Sequence, residues 1–292
     1  MTAQSLVVMH AQTLRFEIQK LKSLPPLPQN RQRILAAVND PDIDIELLGE
    51  LLAECPALTA RLVGLANSAY FGRAGKIHTL KEAIVHLGLN MVKSLSLAIM
   101  LAENLKPAQC PGFHSERFWL NTLLNAQFAQ QLTFALTDPE KPEPALAYTA
   151  GLLMQLGILA LVSGQPELMQ QIFQEARQDS VCIHQLLQEK FETDQYQIGK
   201  WIILRWQLPE IYAHAIGDQS QGLEQLHQAP RLSQLLAGAR QLSSMILDSE
   251  DIEPGVGELS RLLNIPSQAI EKIMARVGMK KQELQTLARQ FH

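Results

Sequence analysis

The residues whose side chains suit metal-dependent or nucleophilic chemistry are spread thinly along this chain of 292 residues. Its three cysteines form no CxxC pair, and a metal site needs several ligands that converge on one point. Cys110 and His114 are four residues apart, but Pro111 and Gly112 between them break any shared helical face. No Gly-rich phosphate loop and no GxSxG motif occurs. Local motifs therefore predict neither a catalytic site nor a metal site. The eight histidines, none of them in an HxH or HxxxH pair, are His10, His78, His86, His114, His184, His214, His227 and His292.

The composition is that of a globular protein, with 47% apolar residues, 18% charged residues and a net charge of -4. This charge does not favour nucleic acid or an anionic membrane as a partner. The odd number of cysteines favours free thiols in a reducing compartment. The first ten residues lack the charged start and long apolar run of a signal peptide. No apolar run reaches the roughly 18 residues of a membrane span. We therefore expect a soluble, cytoplasmic protein without a membrane partner.

The most apolar stretch of the chain runs from Ala147 to Ser163. Its apolar residues recur with helical spacing and cover nearly the whole circumference, which predicts a buried central helix. Two interior glycines, Gly151 and Gly157, indicate close backbone packing. Met154 and Gln155 occupy the middle of this predicted helix.

Helix signals recur along the rest of the chain, and they predict an all-α protein. Asp44 is a suitable N-cap for a helix over residues 45–53, and Thr79 with Glu82 forms a capping box. Asn90 is expected to cap the helix that follows. Further helices are expected over about 28–39, 56–67, 91–105, 114–135, 166–178, 181–190 and 194–206, as a short helix starting at 208–210, and from 223 to the end, with breaks at 253–257 and 264–267.

The central stretch resembles the GLLHDIG segment of the HD superfamily of metal-dependent phosphohydrolases. The frame is present as Gly151-Leu152-Leu153 and Leu156-Gly157-Ile158. In the superfamily a His-Asp doublet on this helix binds a catalytic metal, whereas this chain has Met154-Gln155. A thioether and a neutral amide are poor ligands for hard cations.

Three further segments are similar to the HDOD family, the signalling-associated branch of that superfamily. They are LPPLP from Leu24, PALTARLVGLANSAYFG from Pro56, which contains the signature residues Asn67 and Ser68, and IHTLKEAIVHLGL from Ile77. Most members have Asp where this chain has Cys55, which removes a good N-cap. The resemblance covers about residues 24–220 and implies a multi-helical HD-like bundle with additional C-terminal helices.

The resemblance also implies where a superfamily metal site would lie. Its ligand positions fall on Asn121, on the doublet Met154 and Gln155, on Gln195 and near Gln219, all of them uncharged here. Asp194 is the nearest remaining carboxylate, and one acid does not make a metal site. We therefore expect no metal and no cofactor. The amides could line a small vestigial pocket that binds a ligand without metal, or they could hydrogen-bond one another or water.

The domain organisation that we predict has three parts. Residues 1–23 form an N-terminal helical extension, residues 24–220 form the HDOD domain, and residues 221–292 form a C-terminal helical region packed on the core. Residues 258–277 have the outline of a helix-turn-helix. Six basic residues against five acidic ones over 251–292 are far from a DNA-binding footprint, so we favour ordinary helix packing.

The function expected from these observations is a non-catalytic signal-transduction or scaffold module of the HDOD type. It would act through protein-protein contacts, with a small ligand as a further option. Two alternatives are an HD-type phosphohydrolase acting on nucleotides or phosphate esters, and DNA binding through the C-terminal helices. The uncharged ligand positions argue against the first alternative, and the charge balance makes nucleic acid an unfavoured partner. The sequence leaves the protein partner and the oligomeric state open.

Overall fold

The computed structural model describes residues 29–40, 42–72, 75–105, 110–179, 182–248 and 252–291. Within these ranges the regular elements are helices and no strand is present, which confirms the predicted all-α class. The predicted extension over residues 1–23 and the Leu24–Pro28 entry lie outside the described residues.

The first half of the bundle comprises seven α-helices that lead to the doublet. They are α1 (Gln29–Asn39), α2 (Ile45–Ala53), α3 (Pro56–Ala66), α4 (Leu80–Leu87), α5 (Leu89–Asn104), α6 (Ser115–Ala135) and α7 (Pro144–Leu153), with a 3-10 turn at Ala69–Phe71.

The second half begins directly after the doublet and continues through short connections. Its helices are α8 (Leu156–Gly164), α9 (Pro166–Asp179), α10 (Ile183–Phe191), α11 (Gln195–Arg205), α12 (Glu210–Gly217), α13 (Leu223–Leu226), α14 (Arg231–Asp248), α15 (Ile252–Leu263), α16 (Ser267–Met279) and α17 (Lys281–Ala288), with 3-10 turns at Asp218–Ser220 and Arg289–Phe291.

Local capping explains where several of these helices begin. The Asp44 carboxylate accepts a hydrogen bond from the Leu47 amide at 2.6 Å, and Thr79 and Glu82 form the predicted capping box at the start of α4. The prediction that Asn90 caps the next helix is wrong. Gly88 precedes α5 with a φ of 81°, a left-handed conformation that glycine adopts without a steric penalty, so the chain turns directly from α4 into α5.

The core of the fold is the contact between α6 and α7. A β-carbon on Gly151 would lie 2.6 Å from the Cα atom of Ala126, so only glycine permits the two backbones to approach this closely. The expected single helix over 147–163 is wrong, because the chain forms two helices that are separated at Met154 and Gln155. Gln155 has a φ of -92° and a ψ of 7°, outside the α-helical range, so the doublet is a break between helices.

Three of the helices after residue 221, α14, α16 and α17, pack against α6. The rings of Trp119 and Phe291 stack with centroids 4.7 Å apart, and Arg289 forms an ion pair with Glu116 at 3.1 Å. The predicted break at 253–257 is wrong, because α15 runs through it. The predicted break at 264–267 is confirmed in position, since α15 ends at Leu263 and α16 begins at Ser267.

Taken together across the break, α7 and α8 form the one stretch among the described residues, Pro144–Gly164, that is long and apolar enough to cross a membrane. The expectation that no apolar run reaches this length is therefore wrong. In the fold, 89% of its most apolar window is buried among the surrounding helices. The stretch is the central core element of the bundle.

Candidate functional site

The doublet lies in the interior, where α8 meets the start of α11. Met154 is fully buried and Gln155 is 9% exposed. Two residues further on, Gly157 packs on the first turn of α11. A β-carbon there would overlap the carbonyl oxygen of Gln195 and would lie 3.0 Å from the amide nitrogen of Gly199. This close approach brings the helix break and the N-terminus of α11 together.

Asp194, the carboxylate that directly precedes Gln195, serves as a helix cap. Asp194 is buried, and its Oδ1 accepts hydrogen bonds from the backbone amides of Tyr196 and Gln197, both at 2.9 Å. The hydroxyl of Ser220 donates to the same oxygen at 2.9 Å. Asp194 therefore stabilises the start of α11 and ties it to the 3-10 turn at Asp218–Ser220.

Asn121, at the inferred position of the upstream histidine, is engaged with the C-terminal region. Its Oδ1 accepts a hydrogen bond from the Ser243 hydroxyl of α14 at 2.7 Å and another from the amide of Asn125 at 3.1 Å. These contacts make α14 a wall of the inferred site. The sequence comparison with HD enzymes did not extend to α14, so it missed this contribution.

Gln195 and Gln219 each leave a buried side-chain oxygen without a partner among the described residues. The Gln219 amide donates to the carbonyls of Ala215 and Ser233, at 2.9 Å and 3.0 Å. No hydrogen bond links the two glutamines to each other within the described part of the chain. A buried carbonyl oxygen without a donor is costly, so these oxygens are suited to accept hydrogen bonds from water or a bound molecule.

Arg240 is a further residue of the site that sequence reasoning did not single out. Its Nη1 donates to the Tyr196 hydroxyl at 3.0 Å and to the carbonyl of Gln219 at 3.2 Å, and its Cζ lies 5.3 Å from the centroid of the Tyr196 ring. The His184 ring lies 6.3 Å from the same ring. Burial, and then the positive charge of Arg240, lowers the pKa of His184 below its usual value, although Asp194 opposes the shift. The sequence signal that could have identified Arg240 is an arginine one turn before Ser243 on a mostly apolar helix face.

The residues present do not fit the divalent metal that the superfamily implies. The described residues contain no group of three or more His, Cys, Asp or Glu side chains placed to hold a metal ion. The inferred positions offer neutral amides and a thioether, while Arg240 adds a positive charge. A buried divalent cation needs anionic or imidazole ligands to offset its lost hydration.

The signature residues Asn67 and Ser68 follow the end of α3, outside the inferred site, and Asn67 forms hydrogen bonds that hold the fold together. The Asn67 amide donates to the carbonyl of Ile77 at 2.6 Å, and its Oδ1 accepts from the Ile77 amide at 3.0 Å. This pair of bonds pins the segment before α4 to the end of α3. Ser68 is 5% exposed, and its hydroxyl has no hydrogen-bond partner among the described residues.

The C-terminal helices use several of their basic side chains for intramolecular contacts. Arg276 donates to the side chain of Gln131 at 3.3 Å, and Lys281 donates to the carbonyl of Ile246 at 2.8 Å. These two groups thus contact the neighbouring helices α6 and α14 of the same chain.

Comparison with solved structures places the fold among HD-like proteins. A protein of Shewanella amazonensis SB2B, provisionally described as a phosphohydrolase, superposes with a TM-score of 0.77 at 24% identity, covering 94% of this chain and 98% of the other. A protein of Marinobacter aquaeolei VT8, provisionally described as a signal transduction protein, superposes with a TM-score of 0.79 at 21% identity, covering 96% of this chain and 65% of the other. At these identities the likeness establishes the fold.

Sequence comparison supplies the family. An uncharacterized protein of Treponema pallidum (strain Nichols) is 26% identical over 191 residues, which cover 65% of this chain and 36% of the relative. The chain thus spans about a third of the length of this curated relative. The family model of the HDOD domain matches residues 24–221, more than half of the chain. The chain belongs to the HDOD domain family, which is related to the HD phosphohydrolases.

Proposed function

We propose that this protein is a non-catalytic HDOD module of the cytoplasm that works in signal transduction or as a scaffold by binding partner proteins. The observation that carries the proposal is the buried Met154-Gln155 doublet at the position of the superfamily's metal-binding His-Asp pair. At this position Met154 and Gln155 offer a thioether and a neutral amide in place of the imidazole and carboxylate ligands, which supports the proposal.

The chemistry of phosphoester hydrolysis supports this proposal. An HD enzyme uses its metal to polarise the phosphoryl oxygen and to generate a nucleophilic hydroxide at neutral pH. Neutral amides cannot supply either effect. The Asp194 carboxylate accepts three hydrogen bonds on its Oδ1, two of them as the cap of α11, and a single carboxylate does not replace a set of convergent metal ligands.

The proposed module could also bind a small ligand, because the inferred site offers hydrogen-bonding groups that need no metal. The partner-free oxygens of Gln195 and Gln219 are acceptors that a ligand could satisfy. A ligand there would contact α11, α14 and the helix break together. Binding would therefore bias the relative position of these elements and the surfaces that they present to a partner.

The test combines elemental analysis with a phosphatase assay on the purified full chain. We expect iron, manganese and zinc each at well below one equivalent, and no hydrolysis of p-nitrophenyl phosphate or nucleotides above a blank, with or without added metal. About one equivalent of a transition metal, together with turnover that a chelator abolishes, would establish the phosphohydrolase alternative instead.

The partner-binding part of the proposal is tested by affinity capture from native cells and reconstitution from purified components. We expect a captured protein to form a stoichiometric complex with the full chain in size-exclusion chromatography. If no captured protein rebinds in purified form, the scaffold proposal fails even where the metal analysis agrees with it.

A further inference from the structure

Arg240 is a partly buried cation without a carboxylate partner. Among the described residues none of its nitrogens forms an ion pair, and both of its hydrogen bonds leave from Nη1, to the hydroxyl of Tyr196 and the carbonyl of Gln219. The side chain is only partly buried and its free nitrogens are not among the buried atoms without a partner, so these donors are open to a ligand.

The free donors of Arg240 have the geometry that an oxyanion requires. Nε and Nη2 donate to no described residue, and in the planar guanidinium these two nitrogens form one edge of the fork that binds carboxylate or phosphate in a bidentate manner. The two bonds from Nη1 and the Tyr196 ring beside Cζ hold the group in place. The arginine is therefore preorganised, and little rotamer entropy remains to be lost on binding.

The groups that interact electrostatically with Arg240 form no ion pair with it among the described residues. Asp194 is close enough to interact with Arg240 electrostatically, but its Oδ1 is occupied by two backbone amides and the Ser220 hydroxyl. Burial and the charge of Arg240 lower the pKa of His184, which favours its neutral form at pH 7. Cys182 is an exposed thiol.

Arg240 also lies beside the inferred vestigial site. It is one helical turn from Ser243, whose hydroxyl donates to Asn121, and it bonds the backbone of Gln219. Its other partner, Tyr196, adjoins Gln195. The guanidinium thus bonds the backbone of Gln219 and the residue that follows Gln195, the two glutamines whose side-chain oxygens have no partner among the described residues.

We propose that Arg240 binds an oxyanion group of a small ligand, a phosphate or a carboxylate, whose remaining part extends toward Gln195 and Gln219. The inference rests on the ligand-binding part of the proposed function and gives the ligand its chemical class. It requires no metal, because the fixed guanidinium supplies the positive charge.

The experiment is a titration of the full chain with sodium phosphate. Isothermal titration calorimetry measures the binding, and the change in melting temperature measures it independently. Sodium chloride at matched ionic strength is the blank, and sodium acetate is a second arm. The variants are Arg240→Gln, Arg240→Lys and, as a matched control, Arg205→Gln. Arg205 is an exposed arginine at the far end of α11, roughly 15 Å along the helix from Gln195.

We expect saturable, one-to-one binding to the unaltered protein and to the Arg205 variant. Arg240→Gln should weaken binding at least tenfold, and Arg240→Lys should weaken it less, since lysine keeps the charge but loses the fork. Stronger binding of phosphate identifies a phosphate ester as the ligand group, and equal or stronger binding of acetate identifies a carboxylate.

A response that does not saturate, or one that Arg240→Gln and Arg205→Gln alter equally, indicates an adventitious ion only and overturns the inference. If Arg240→Gln does not fold, labelling of the unaltered protein with phenylglyoxal decides, because phosphate should slow modification at Arg240 and leave Arg205 unaffected. A negative result for oxyanion binding does not change the metal, phosphatase and reconstitution results that test the proposed function. The failure of one proposal is therefore distinguishable from the failure of the other.

Discussion

Gly157 lies directly against the backbone of Gln195, so that a β-carbon at residue 157 would sit 2.7 Å from the carbonyl carbon of Gln195. This contact joins the helix that follows the doublet to the helix capped by Asp194. It involves backbone atoms on the Gln195 side, which cannot move aside as a flexible side chain would.

Gly157→Ala should therefore destabilise the protein by about 3 kcal/mol, the upper part of the usual range for overpacking a core. Urea denaturation followed by circular dichroism measures the change. Gly257→Ala is the control, because no atom lies within 4 Å of a β-carbon at that exposed helical position, and alanine should add about 0.5–1 kcal/mol of stability there. Equal effects at the two glycines would contradict the packing described.

Restoring the superfamily doublet should not by itself restore a metal site. The double substitution Met154→His with Gln155→Asp supplies two ligands, but Asn121 and Gln195 remain neutral. We expect weak metal binding by equilibrium dialysis with elemental analysis. Addition of Asn121→His and Gln195→His should tighten it, because a transition metal is held by several convergent ligands. Tight stoichiometric binding by the double variant would show that the ligand set inferred here is wrong.

Asn67 should contribute to stability through its two hydrogen bonds with Ile77. Asn67→Ala leaves the buried Ile77 backbone groups without these partners, which should cost about 1–3 kcal/mol. Chemical denaturation measures the loss. Thr286→Ala is a suitable control, since this exposed hydroxyl donates only to a carbonyl of its own helix and its removal should change stability by less than about 0.5 kcal/mol. A neutral result at Asn67 would exclude a structural role for this bond pair.

The lowered pKa of His184 predicts a pH dependence of stability. Burial disfavours the charged ring in the folded state, so the unfolded chain binds a proton more readily. Stability should then fall as the pH drops below about 6.5, the ordinary histidine value, toward the lower folded-state pKa. His184→Gln should make the free energy of unfolding less sensitive to pH between 7 and 5.

Denaturation curves at several pH values measure this slope, and the exposed His214→Gln provides the comparison for replacing a histidine by glutamine. If the slopes of the two variants agree, His184 does not contribute the linkage assigned to it.

The parts of this fold that the sequence by itself determined are local. The caps at Asp44 and Thr79 bond to amides three residues away, so the residue types at that spacing suffice to predict them. The wrong cap at Asn90 has a local reason too. The neighbouring Gly88 takes a left-handed conformation, so that α5 begins before Asn90. The residue preferences at helix N-caps do not predict this earlier start.

Only the tertiary structure decided what surrounds the inferred site. The sequence placed a central helix over 147–163 from its apolar spacing, but the packing of Gly157 on Gln195 accompanies a break at the doublet. Asn121 meets Ser243, a residue 122 positions away, and Arg240 meets Tyr196 across 44 positions. Such contacts depend on how whole helices pack, and no spacing rule within one segment contains that information. Residue types alone therefore predicted that the metal ligands are replaced, while the contacts of Arg240 with Tyr196 and Gln219 followed from the tertiary packing of α14.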